Sequence, residues 1–142
     1  MFPKNTRVLV VDDMPKMREI VSSQVASLGY TDILKASNGR EALDLLNREF
    51  DFDNPIGLVF SDWNMPIMPG IELLSEVRKS AKLQNLPFIM VTAEGQREQV
   101  MEAIKIGVSN YIVKPFPAVQ LELKIKAVWD KLSAKANAIT SS

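Results

Sequence analysis

Three short runs in this chain are apolar at every position: Val8 to Val11, Leu58 to Phe60, and Phe88 to Val91. A strand with one wet face alternates apolar and polar side chains, so an unbroken run demands cover on both faces. Each run stops at polar residues: Asp12 and Asp13 after the first, Ser61 and Asp62 after the second, Thr92 after the third. These residues therefore stand where a buried strand meets solvent, the place where open α/β sheets keep their chemistry. Taken alone, Asp62 reads more readily as a turn opener or helix cap than as a reactive carboxylate, and the Asp12–Asp13 pair divides evenly between capping and chemistry.

Between the runs the apolar period changes to that of a helix. Pro15 to Leu28 repeats Met17, Ile20, Val21, Val25 and Leu28, with Pro15 suited to the first turn, Asp13 to a cap and Gly29 to the end. Thr31 to Ala36 reads as a strand, Ser37 to Gly39 as its turn, and Arg40 to Arg48 as a helix burying Ala42, Leu45 and Leu46. Glu49 to Gly57 reads as a surface loop longer than the usual connection of ~2 to 6 residues. After Asp62 come a loop with Pro66, Pro69 and Gly70 and a helix from about Ile71 to Lys79 that buries Leu73, Leu74 and Val77. A fourth helix, Gln96 to Ile106, has Val100, Met101 and Ile104 as its inner stripe. A fifth strand, Tyr111 to Val113, ends in Lys114 and Pro115, and a last helix, Pro117 to about Leu132, turns Leu121, Ile125, Val128 and Leu132 inward. Five strands alternating with five helices predict an α/β fold, a doubly wound parallel sheet with helices on both faces.

The 142 residues suit one domain, drawn over 1–133, with a small polar tail, 134–142, expected to fray. Lys and Arg balance Asp and Glu at 17 each, and no basic cluster tracks a phosphate backbone, which argues against nucleic acid. Cysteine and histidine are both absent. Disulfides and thiolate chemistry are excluded, and any imidazole base or phosphohistidine must come from another chain. No apolar run approaches the ~20 residues of a membrane span, so neither export nor a membrane is expected and the chain reads as cytoplasmic.

Parallel strands carry their carboxyl ends to one edge, so Asp12, Asp13, Asp62, Thr92 and Lys114 converge although far apart in sequence. Three carboxylates with one ammonium leave a charge deficit that a hard divalent cation such as Mg²⁺ would fill. With that charge offset, a phosphoryl group could approach Asp62, whose carboxylate is a competent nucleophile, while Thr92 and Lys114 could donate to its oxygens. Each residue alone has a plainer reading, Thr92 as a strand-end residue and Lys114 as a solvated charge.

The pair Asp12 and Asp13, the stretch Ser61 to Pro66, Met90 to Glu94, and Lys114, Pro115 and Phe116 resemble the receiver domain of two-component response regulators, and within it the single-domain chemotaxis receivers. The resemblance runs from about Arg7 to Leu132. It implies the flavodoxin-like strand order 2-1-3-4-5, Asp62 as phosphoacceptor, and Asp13, Asp62 and the Asn64 backbone carbonyl as Mg²⁺ ligands, with Asp12 acting mainly through water. It further implies Thr92 as a switch hydroxyl, Tyr111 as the ring that moves with it, a cis Lys114–Pro115 peptide, and Asn64 and Glu94 as residues that tune loss of the phosphoryl group. A histidine kinase is then the donor, a flagellar motor switch protein the expected target, and a phosphatase a further partner.

Departures from the family pattern are the length of Glu49 to Gly57, Pro69 where an acid is common, and Gly95 after Glu94. On the last helix Val119 and Leu123 lie one turn apart, opposite Leu121 and Ile125. They are either scattered exposed apolars or, with Tyr111, a docking or dimer patch on the face of the fourth helix, fifth strand and fifth helix, in a monomer or weak homodimer. With no output domain expected, the output is binding: a signalling domain, not an enzyme. A non-motility phosphorelay or kinase-feedback role shares the same chemistry. An aspartate-nucleophile phosphohydrolase is disfavoured because the residues two after Asp12 and Asp62 are Met14 and Asn64, not acids. Neither G-x-G-x-x-G nor a P-loop supports nucleotide binding.

Overall fold

The computed structural model describes residues 1–93 and 97–140, with side chains described as far as residue 136. Its elements are β1 (Val8–Val11), α1 (Pro15–Ser27), β2 (Ile33–Ala36), α2 (Gly39–Asp51), β3 (Leu58–Asp62), α3 (Gly70–Lys79), β4 (Phe88–Ala93), α4 (Arg97–Ile106), β5 (Asn110–Lys114) and α5 (Ala118–Thr140). All four strand pairings are parallel, in the order β2-β1-β3-β4-β5. This is the doubly wound five-stranded flavodoxin-like sheet expected from the alternation and the resemblance.

The apolar runs are covered on both sides. Leu9, Val11, Val59, Phe88 and Met90 pack beneath α2, α3 and α4, while Val8, Val10, Leu58, Phe60, Ile89, Val91 and Ile112 pack beneath α1 and α5. Alternate side chains of a strand point to opposite faces, so each run feeds two cores at once. Phe2 closes the second core at the amino terminus, its ring 5.0 Å from that of Trp129.

Several local readings change. Asp13 caps nothing: Met14 occupies the N-cap of α1 without a side-chain bond, and Pro15 begins the helix. Asn38 caps α2 by accepting from the Glu41 N–H at 2.9 Å, while the Glu41 carboxylate returns to the Ser37 N–H and hydroxyl. α2 runs on to Asp51, so the expected long loop shrinks to 52–57, an ordinary connection. In α2 it is Leu43 that is buried with Ala42 and Leu46, and Leu45 is only partly so.

In α4 the inward stripe is shifted by one residue: Ala103 is buried with Val100 and Ile106 partly so, and Met101 and Ile104 are each about half exposed, 52 %. α5 continues past Leu132 to Thr140. The segment read as a fraying tail holds Ala134, Ala136 and Ala138 without Gly or Pro, a composition that sustains helix.

Candidate functional site

The strand order reverses between β1 and β3, and the crevice at their carboxyl ends is where an open sheet leaves room for a ligand. Asp12 follows the last residue of β1 and Asp62 is the last of β3. Asp12 and Asp62 are 2 % and 7 % exposed, whereas Asp13 faces solvent. One carboxylate oxygen from each of Asp12, Asp13 and Asp62 lies within 4.8 Å of the others.

Backbone donors orient two of these acids. The Met14 N–H donates to Asp12 Oδ1 at 2.9 Å, and the Trp63 N–H to Asp62 Oδ1 at 2.9 Å. Lys114, at the end of β5, reaches across β4 to place Nζ 3.0 Å from the same Asp62 oxygen. Asp62 Oδ2 accepts no hydrogen bond among the described residues and remains available. Arg18 of α1 donates to the Asp12 backbone carbonyl at 2.8 Å, tying the helix to the strand end.

Burial pushes the Asp12 carboxyl above its ordinary range, the Met14 N–H opposes this, and Asp62 and Asp13 push it further up against the pull of Lys114. A group of carboxylates under that strain, made of hard oxygen donors only, fits a small divalent cation.

Thr92 is buried and lies one residue beyond Val91, the register partner of Asp62. Its hydroxyl makes only a long 3.4 Å contact to the Ala93 carbonyl, so little holds it in place. Tyr111 of β5 is half-buried, with the Lys124 ammonium 4.7 Å above its ring. Asn64 is exposed in the loop after β3, and Glu94 lies outside the described residues. The Lys114–Pro115 peptide is cis. Val119 and Leu123 are 64 % and 58 % exposed, so they form no part of the core.

Two supports of the site were not legible as such. Trp63 contributes its backbone N–H, which no side-chain pattern advertises. Gly70 was visible only as a loop residue; a Cβ there would overlap the Asp62 carbonyl, and its N–H donates to the Trp63 carbonyl at 2.9 Å. The turn that follows β3 thus closes back on the acid itself.

A doubly wound sheet with three acids and a lysine at its switch point is the architecture of a phosphoryl-accepting signalling domain. Residues 8–126 match the family model "Response regulator receiver domain", and the chain belongs to that family. It is 43% identical over 130 residues to the chemotaxis protein CheY-3 of Vibrio cholerae, covering 91% of this chain and 95% of that protein. Among solved structures it resembles the chemotaxis response regulator CheY4 of Vibrio cholerae, with TM-score 0.74 and 32% identity over 87% of this chain and 98% of that one. It also resembles the CheX–CheY–BeF3–Mg²⁺ complex of Borrelia burgdorferi, with TM-score 0.78 and 29% identity over 87% and 89% of the two chains. The chain is a receiver of the CheY-like chemotaxis class. Among the described residues no helix is long and apolar enough to cross a membrane.

Proposed function

We propose that this chain is a stand-alone cytoplasmic response regulator, phosphorylated on Asp62 by a histidine kinase, whose phosphorylated form binds a flagellar motor switch protein. The observation that carries the reading is the 3.0 Å contact of Lys114 Nζ with Asp62 Oδ1 beside the Asp12–Asp13–Asp62 cluster. In the transfer, a carboxylate oxygen of Asp62 bonds to phosphorus as the phosphorus–nitrogen bond of the donor's phosphohistidine breaks, and the imidazole leaves with that electron pair. This chain contains no histidine, so the donor is another protein.

Asp13, Asp62 and the Asn64 carbonyl would hold Mg²⁺, with Asp12 at the second remove through water. When bound, the ion offsets the charge of the acids and of the incoming phosphoryl group. Lys114 follows its partner from the carboxylate to the new phosphoryl oxygen, and the weakly held Thr92 hydroxyl turns toward the same group. Tyr111 then enters the space the threonine leaves, and the face formed by α4, β5 and α5, with Val119 and Leu123 exposed on it, changes its fit to a partner. Asn64 and Glu94 are the residues we assign to setting how fast water removes the phosphoryl group. The chain assists its own phosphorylation and dephosphorylation and turns over no external substrate. The relative from Borrelia burgdorferi solved with CheX supports a further auxiliary partner, which we take to be a phosphatase.

The test is intact mass after incubation with acetyl phosphate, with and without Mg²⁺, on the wild type and Asp62→Asn. One phosphoryl adduct requiring both the ion and Asp62 is expected; an adduct on Asp62→Asn would refute the assignment. Phosphorylation without any gain in affinity for a motor-switch peptide would move the chain to a relay or kinase-feedback role.

A further inference from the structure

At the amino ends of the strands, on the edge opposite the acids, a cavity of about 240 Å³ opens between the end of α2 and the connections 52–57 and 81–87. Buried Leu46, Ile56, Leu83 and Leu86 line it, and Lys82 stands on its rim. Beside it, Phe52 is 73 % exposed and forms no part of the lining. Phe52 is the C-cap of α2, and the turn just after it is held by the Asp53 N–H to the Phe50 carbonyl and the Asn54 N–H to the Glu49 carbonyl, with Asp53 in the left-handed region at φ 61. An exposed aromatic ring thus stands beside an apolar cavity that it does not line.

We propose that the occupant of the cavity is a Phe52 ring from a second copy of this chain, exchanged reciprocally about a two-fold axis. Knob and hollow lie side by side on one edge, the arrangement a closed, self-complementary pair requires. The charges also match. The Asp53 carboxylate has no partner among the described residues, while Lys82 bonds Asp51 in its own chain and keeps further N–H donors for a second acid. With 17 charges of each sign, no net field keeps two copies apart. Two rings and two ion pairs bury less than the ~1,200 Å² of a stable interface, so the dimer is weak. It leaves the acid edge and the α4–β5–α5 face of both copies open.

Sedimentation equilibrium of the full chain from ~10 μM to ~1 mM, the range in which so small an interface associates, tests this. The wild type is expected to self-associate within that range, and Phe52→Ala to weaken association by about tenfold or more. Leu123→Glu, on the far face, is expected to leave it unchanged. Asp53→Lys is expected to weaken it, and Lys82→Glu added to the same chain to restore it. Circular dichroism confirms that each variant is folded. A wild type monomeric throughout, a dimer that survives Phe52→Ala or dissolves with Leu123→Glu, or a double charge variant as weak as the single one would each overturn the proposal.

Discussion

Asp12 is buried beside two other carboxylates, and its proton is held above the ordinary value of 3.8. In the metal-free protein the folded state therefore keeps this proton at pH values where the unfolded chain has released it. The stability it confers is whole below the unfolded value and is lost as pH rises through the raised folded one. Asp12→Asn removes that loss. At neutral pH without Mg²⁺ the variant is expected to be more stable by on the order of 1 kcal/mol, with less dependence on pH above 4, as urea titrations across pH would show. Added Mg²⁺ is expected to raise the melting temperature of the wild type more than that of the variant.

Ile67, in the loop after β3, has φ 69 and is 77 % exposed, so a β-branched side chain bears a left-handed backbone without packing in return. Ile67→Gly is expected to stabilise the fold by about 1 kcal/mol, read from the denaturation midpoint. The acids, Thr92 and Lys114 were legible because each follows an apolar run. The strain at Ile67 was not, because nothing in a side-chain pattern marks a backbone sign.

Among the elements, α4 shows what periodicity can and cannot convey. Val100, Met101 and Ile104 advertise a helix correctly, yet the side that meets the sheet runs through Ala103, because a small residue lets the helix approach closely. Apolar spacing identifies the helix but not which side is covered, since on α4 Met101 and Ile104 remain outside while Ile106 packs against the core. In α2 the loop-forming residues Asp51, Asp53, Asn54, Pro55 and Gly57 make 49–57 read as loop, yet the helix runs on to Asp51, because the residues that end it come only after that point. The tail carries the same ambiguity: small polar residues read as loose, yet alanines are the best helix formers, and α5 runs to Thr140.

With so little buried, α4 depends on its far end. There Arg78 of α3 donates to the carbonyls of Gly107 at 2.8 Å and Leu86 at 2.6 Å, and more weakly to Gln84 and to the Ser109 hydroxyl. Burial lowers the proton affinity of this guanidinium, but it stays charged. Arg78→Met strands those carbonyls and is expected to cost about 2–3 kcal/mol in urea unfolding. Arg40→Met, which breaks only the exposed 3.8 Å pair with Asp44, is expected to change stability by at most ~0.5 kcal/mol.

For the molecule as a whole, the proposed function separates chemistry from output across the sheet. It assigns phosphoryl transfer to the carboxyl edge, and partner binding to the face where Val119 and Leu123 stand exposed. Leu123→Glu is accordingly expected to accept phosphate from acetyl phosphate at the wild-type rate while losing phosphorylation-dependent binding to a motor-switch peptide. Equal loss of both by intact mass and calorimetry would refute that separation. Parallel strands and helices on both faces were readable from continuous apolar runs, whereas the order of strands came only from the resemblance. Alternation dictates that crossovers exist; it does not say where each strand is inserted.

The two cores differ in when they can be completed. The side under α2, α3 and α4 draws its helices from the middle of the chain, whereas the side under α1 and α5 takes Leu121, Ile125 and Val128 from the last element, together with Trp129, whose ring lies tilted against that of Phe2. As the chain emerges from the ribosome, the first side can close while Val10, Phe60 and Ile112 still lack their cover. A nascent chain halted before Ala118 is therefore expected to bind a hydrophobic dye or a chaperone, and to lose that binding once α5 is released. The clasp between Phe2 and Trp129 makes the arrival of α5 the event that seals the fold.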